Sequence, residues 1–165
     1  MLSDNTDSDS EVDFPILVNG TFRAGLFEGG ELGINAGQLG GDLALKLGFL
    51  PHDEPFQLSA IAGFGLLFWR TPSVNLGLLA GYKFGDVLQL YGGYRHHLAF
   101  AIEPVTVSIG DAIVGLELFP GKTLSIMAEY DHIIYYMESS IFDDVGFDPG
   151  SLGLGVISGG ININF

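Results

Sequence analysis

Along most of the chain apolar and polar side chains alternate with a period of two, the period of a β-strand. From Val74 the even positions read Val74, Leu76, Leu78, Ala80, Tyr82 and Phe84, and the odd ones Asn75, Gly77, Leu79, Gly81 and Lys83. The next stretch sets Leu88, Leu90 and Tyr94 against Gln89, Tyr91, Arg95 and His97. Around Leu124 the apolar set Leu124, Ile126, Ala128 and Tyr130 opposes Ser125, Met127, Glu129 and Asp131. Turn-forming clusters at 28–31, 51–55, 70–73, 84–86, 101–104 and 120–122, with a longer acidic connection at 137–150, cut the chain into segments. Eight strands are expected, over 16–28, 31–50, 56–70, 73–84, 86–100, 105–119, 121–136 and 151–165. The connections are short enough for hairpins, so the order is an antiparallel meander.

The alternation changes phase twice. Leu32, Ile34 and Ala36 are even, whereas Leu43, Leu45, Leu47 and Phe49 are odd, with the switch at Gly40-Gly41. Leu152, Leu154 and Val156 are even, whereas Ile161, Ile163 and Phe165 are odd, with Ser158-Gly159-Gly160 between them. Both read as bulges, where one extra residue inverts the faces. A hairpin at Gly40-Gly41 would instead give nine strands and send the termini to opposite ends of a barrel.

The 165 residues suffice for one domain: an acidic tail over 1–13 and a β-domain over 14–165. Hydrophobic residues make up 47% and charged ones 16%, with 20 acids against 6 bases and a net charge of -14. This excludes nucleic-acid binding through a basic patch, and the apolar content excludes simple disorder. Without cysteine there is no disulfide, thiolate zinc site or thiol catalysis, and no cofactor or metal is expected. No run reaches the roughly 20 apolar residues of a spanning helix. The start, Met1-Leu2-Ser3-Asp4-Asn5-Thr6-Asp7, is acidic where an export signal would be basic and then apolar, so the numbering is expected to begin after a cleaved signal.

Where the strand charges sit decides the class. Arg23, Lys46, Lys83 and Arg95 lie on the polar face, as do Asp42, Asp111, Glu117, Glu129 and Asp131, and the opposite face is almost uncharged. A soluble eight-stranded barrel has its apolar side inward. An outward apolar band around a polar interior is the transmembrane barrel pattern. Aromatics mark two girdles, Phe49, Phe56, Tyr82, Phe84, Phe119 and Phe165 at one end and Phe68, Trp69, Tyr94, Phe100, Tyr135 and Tyr136 at the other. With the first strand rising from the periplasm, turns 51–55, 84–86 and 119–122 are periplasmic. Turns 28–31, 70–73, 101–104 and 137–150 are external, the longest among them.

The tail Gly159-Gly160-Ile161-Asn162-Ile163-Asn164-Phe165 resembles the C-terminal strand of bacterial outer-membrane proteins. Gly81-Tyr82-Lys83-Phe84-Gly85-Asp86 and Leu118-Phe119-Pro120-Gly121-Lys122 are similar to periplasmic hairpins of small barrels of the OmpA/OmpX/OmpW kind. The resemblance covers residues 16–165 and is one of architecture. It implies a closed, all-β, up-and-down transmembrane barrel of eight strands in the outer membrane of a Gram-negative cell envelope. It further implies contact with lipid and lipopolysaccharide, and reading of Phe165 by the barrel-assembly machinery.

An eight-stranded barrel is just wide enough for side chains to fill it. Its lumen is expected to hold Arg23, Lys46, Lys83, Arg95, Asp111, Glu117, Glu129 and Asp131 as a packed polar plug rather than a solute pore. Lys46, Lys83 and Glu117 fall low in the barrel. The others fall higher, as one ion-pair network with Arg95 and Glu129 as its leading members. The role this supports is structural or adhesive, or that of a subunit in an envelope assembly, with loop 137–150 or tail 1–13 meeting a partner. An alternative is binding or transport of a small apolar molecule at the barrel mouth, lined by Leu152, Leu154 and Val156 if they point inward. A third is an outer-leaflet lipid-modifying enzyme, such as the lipid A deacylases with their serine, histidine and carboxylate. His96, Ser108 and His132 have the outward parity for it, and Glu103 is the nearest acid; equally, such rim residues can simply meet headgroups.

Overall fold

In a computed structural model, residues 16–51, 53–100, 105–140 and 155–164 are described. They form nine strands, β1(Ile16–Phe27), β2(Gly30–Gly37), β3(Gly40–Gly48), β4(Phe56–Leu67), β5(Thr71–Phe84), β6(Leu88–Phe100), β7(Val105–Leu118), β8(Leu124–Ser140) and β9(Gly155–Ile163). Each pairs with the next, and β9 returns to β1 to close the barrel. All pairings are antiparallel except that seam, where Ile16 lies beside Gly155 and Ala24 beside Ile163 in parallel. An odd number of up-and-down strands can close in no other way.

The expected eight strands are therefore corrected to nine. Residues 31–50 are two strands, because Gly37 pairs with Gly40 across a tip of Gln38 and Leu39. Gly40 has φ 130°, where a side chain is strained, and a Cβ there would collide with the Leu66 carbonyl oxygen. The phase change at Gly40-Gly41 thus belongs to a hairpin. The one expected at Ser158-Gly159-Gly160 does not occur, because β9 keeps unbroken register with both neighbours and Val156, Ser158 and Asn162 all face inward and are buried. Bulges lie elsewhere. Leu26 is an extra residue between Gly25 and Phe27, and Ile134 is one between Ile133 and Tyr135.

The added strand reverses β1 relative to the rest. Turn 28–29 consequently shares an end with connections 49–55, 85–87 and 119–123 and with the end of β9, rather than, as expected, with tip 68–70 and the end of β6. Call this the C-terminal end; the start of β1, tips 38–39 and 68–70, and the chain leaving β6 and β8 form the N-terminal end. At the C-terminal end Lys122 Nζ donates to Asp86 at 2.9 Å, and that bond holds the Asp86 carboxyl below its ordinary range. At the N-terminal end Phe68 N donates to Leu39 O at 2.6 Å and Trp69 Nε1 to Gly37 O at 3.1 Å, which fastens the two tips together.

Outward side chains are large and apolar around the whole wall, with Phe64 63%, Leu76 63% and Val114 64% exposed. Exposed aromatics gather near the strand ends: Phe49, Phe56, Tyr82, Phe84 and Phe119 at the C-terminal end, Phe68, Trp69 and Phe100 at the other. Tyr135 and Tyr136 fall in β8, but their side chains lie outside the described set, as does Phe165. Inside, Ile61, Leu79, Tyr91 and Ile113 form a buried cluster backed by Ala44.

Candidate functional site

Strand register carries the charges to the lumen. Among strand residues with described side chains, every Asp, Glu, Lys and Arg has the inward parity. Four are cations, Arg23, Lys46, Lys83 and Arg95. Six are anions, Glu31, Asp42, Asp111, Glu117, Glu129 and Asp131. Glu31, expected in a turn, is the one lumen charge that sequence reasoning missed. It opposes Lys46 across the β2–β3 ladder at 3.2 Å.

The apolar cluster lies between two polar chambers. Toward the C-terminal end the lining includes Arg23, Glu31, Lys46, Lys83, Gln89 and Glu117. Glu117 accepts a short hydrogen bond from the Ser125 hydroxyl, and Lys83, Gln89 and Glu117 share one row across β5, β6 and β7. Arg23 belongs to this lower group, contrary to expectation, because β1 runs the other way. Its guanidinium reaches through to Glu129 at 3.5 Å. Tyr91 lies over Gly115, whose lack of a side chain leaves room for the ring, and its hydroxyl donates to Glu129 at 3.1 Å. Glu129 thus joins the two levels at the partition.

The upper chamber opens toward the N-terminal end, with about 720 Å³ of space including its mouth. Arg95 donates to Asp131 at 2.8 Å, and its Nε lies 3.7 Å from Asp111. His97 Nε2 lies 3.0 Å from the same Asp111 oxygen. Arg95 and Glu129, expected as leading members of one network, take different direct partners, Asp131 and Asp111 for the first and Arg23 and Tyr91 for the second. Asp42 accepts from Asn35 at 2.7 Å, and Asn35 from Thr21 at 2.8 Å. Above these polar groups sit Leu39, Leu66, Leu67, Ile109, Ile133 and Val156. Val156 has the inward position expected for a mouth lining, whereas Leu152 and Leu154 lie outside the described residues. The inward apolar pair Ile109 and Ile133 was not anticipated.

On the outer wall, Ser108 Oγ lies 3.2 Å from His96 Nε2, and His96 Nδ1 lies 3.1 Å from the Tyr94 hydroxyl. β6 and β7 produce this pairing, since His96 stands opposite Gly110 and Ser108 is two residues further along the same face. Tyr94 stacks on His96 with centroids 6.3 Å apart, a second contact that sequence reasoning had assigned only to a girdle. His132 does not join them. It stands on β8 opposite Ala112, 3.4 Å from the Tyr130 hydroxyl. Glu103 lies outside the described residues, as do 141–150 of the acidic loop and the 1–13 tail; residues 137–140 belong to β8. Among the described residues no group of three or more acids and histidines is arranged to hold a metal.

The fold is that of a closed all-β barrel, compatible with outer-membrane barrels. Comparison with protein-family models, curated proteins and solved structures yields no match, so the likeness to small outer-membrane barrels is one of architecture alone.

Proposed function

We propose that the chain is an outer-membrane β-barrel protein with a closed lumen, serving a structural or adhesive role or as a subunit of an envelope assembly. One observation carries this reading: the described outer wall bears large apolar side chains and none of the ten strand charges. In water such a surface far exceeds the few hundred Å² that soluble monomers leave exposed. In a bilayer it is the solvated side, and a Lys or Arg there would cost about 2–4 kcal/mol at the midplane. The closed ladder also satisfies the backbone groups that hydrocarbon cannot. Nine strands depart from the even counts of bacterial single-chain barrels. The cluster of Ile61, Leu79, Tyr91 and Ile113 with the Arg23–Glu129 bridge across it supports a non-conducting barrel.

The test is fractionation of expressing cells, then electrophoresis of the detergent-extracted chain with and without boiling, and conductance in planar bilayers. Recovery in the membrane fraction, a faster unboiled band and electrical silence are expected. Extraction without detergent as a single soluble species would overturn the reading.

The Tyr94–His96–Ser108 chain favours a second reading, an acyl-ester hydrolase working from the lipid-facing wall. A serine needs a base within hydrogen-bond reach and a third group to orient that base. Here His96 would carry its proton on Nδ1, donate it to the Tyr94 oxygen, and receive the Ser108 proton on Nε2. Ser108 Oγ would attack the ester carbonyl carbon, and the proton held by His96 would pass to the departing alkoxide. Water deprotonated by His96 would then release the acid and restore Ser108. Hydrolysis of a long-chain p-nitrophenyl ester in mixed micelles, lost in Ser108→Ala and His96→Asn, is the expected result. A wild-type rate equal to that of Ser108→Ala removes this reading and leaves the first intact.

A further inference from the structure

We propose that the upper chamber is a binding site for small organic ammonium ions bearing a short apolar substituent. The chamber has an acidic floor and an apolar rim. Asp42, Asp111, Glu129 and Asp131 line it against Arg95 and His97, beneath Ile109, Ile133 and Val156.

Carboxylates alone would make no site, since a filled lumen pairs its charges. The hydrogen-bond pattern carries the inference further. Asp111 and Asp131 are 5% and 4% exposed, and each spends one carboxylate oxygen on Arg95 while its Oδ1 has no partner among the described residues. Asn75 is 2% exposed, faces His97 across the β5–β6 ladder, and its Oδ1 is likewise unpartnered. The Asn19 Oδ1 on the chamber wall is a fourth such acceptor. Against the three oxygens on the lining, with Asn75 Oδ1 beside His97, stands one unbonded buried donor, Arg95 Nε, so acceptors outnumber donors in the chamber. A buried acceptor without a donor costs free energy, more so for a charged one. An ammonium group supplies three donors and one positive charge in the same small volume.

Among the described residues the cation beyond the strands at this end is Arg70, exposed on the 68–70 tip and not part of the chamber lining. Segments 1–15, 101–104 and 141–154 leave the barrel there, and all three contain acids but no Lys or Arg. The four carboxylates on the chamber lining against Arg95 set up a negative field that would concentrate cations there. The rim then selects among cations. Ile109, Ile133 and Val156 face inward where a pore for inorganic ions would carry polar groups, and they can cover a few methylenes at about 0.8 kcal/mol each. A wholly apolar molecule would leave the floor unanswered, and a bare cation would leave the rim unused. The site requires only the lumen, so its failure would leave the membrane reading standing.

The test uses the full refolded chain in non-ionic detergent, titrated calorimetrically with n-hexylammonium, n-hexanol, ammonium and n-hexanoate. Hexylammonium is expected to bind about tenfold or more tightly than hexanol or ammonium, the equivalent of one charge-assisted hydrogen bond or two buried methylenes. Hexanoate should not bind. Asp111→Asn should weaken hexylammonium by about tenfold, and Asp86→Asn at the far end should leave it unchanged. Hexanol or hexanoate binding as well as hexylammonium would overturn the proposal, as would equal hexylammonium binding by Asp111→Asn, since micelle partition would then account for the signal. If Asp111→Asn does not refold, the four-probe comparison on the unaltered chain decides the matter alone.

Discussion

Arg95 is the residue on which the upper lumen depends, with Asp131 at 2.8 Å and Asp111 at 3.7 Å from its guanidinium. Removing one partner from a buried ion pair strands the other, at a cost of about 3–5 kcal/mol. Arg95→Met is therefore expected to lower unfolding free energy by about that amount, measured by urea titration of the refolded barrel. Adding Asp131→Leu to Arg95→Met should recover part of the loss, because the second change removes a stranded charge. A double variant less stable than the single one would mean that the Asp131 carboxylate is held by something besides Arg95. Side-chain direction at this scale was legible from parity alone. All eight expected lumen charges have the inward parity, because in a strand the choice of face is binary. Partnership was not legible: Glu129 turned to Arg23 and Tyr91 because tilt and stagger set which inward side chains share a level.

At the scale of elements, the β2–β3 hairpin shows what periodicity can and cannot carry. A two-residue turn and a one-residue bulge both move the outward set from even to odd positions, so the pattern over 31–50 fits either. Length would have separated them. Twenty residues at about 3.3 Å each extend about 65 Å, twice what a hydrocarbon core needs. In β9 the misreading had another cause. Val156 is apolar yet inward, so apolar character there marked the mouth of the chamber and not the outer wall. The Ile134 bulge left its own trace, a run of Ile133, Ile134, Tyr135 and Tyr136 with no alternation at all. Gly40 is the position on which the hairpin turns. Gly40→Val is expected to cost about 1–3 kcal/mol from backbone strain, with the clash against Leu66 adding to it. Its urea midpoint should fall well below that of Gly159→Val, where an added Cβ meets nothing within 4 Å. Equal midpoints would show that the tip has no such constraint.

Over the whole molecule the charge of -14 is unevenly spread. The lumen holds six acids against four bases, and segments 1–15, 101–104 and 141–154 hold acids and no Lys or Arg. If the Ile61, Leu79, Tyr91 and Ile113 cluster is what keeps such a lumen from conducting, then loosening it should open a path with a sign. Leu79→Ser with Ile113→Ser is expected to turn a silent barrel into a cation-selective leak in planar bilayers, with reversal potentials following the cation gradient. Silence in the doubly substituted barrel would place the seal elsewhere. The parallel seam between β1 and β9 has a consequence for how such a barrel reaches its place. A barrel with an even number of strands leaves both flanks of its chain in the compartment from which it was delivered. With nine, the start of β1 and the end of β9 lie at opposite ends of the barrel, so in a membrane one flank would have to be carried across as the wall closes. If it is the stretch before β1, the passenger includes residues 1–15, which carry five carboxylates and no lysine or arginine. On the proposed membrane reading, insertion of this chain would also be a translocation event, and a protease confined to one side of a sealed vesicle should reach one flank and spare the other.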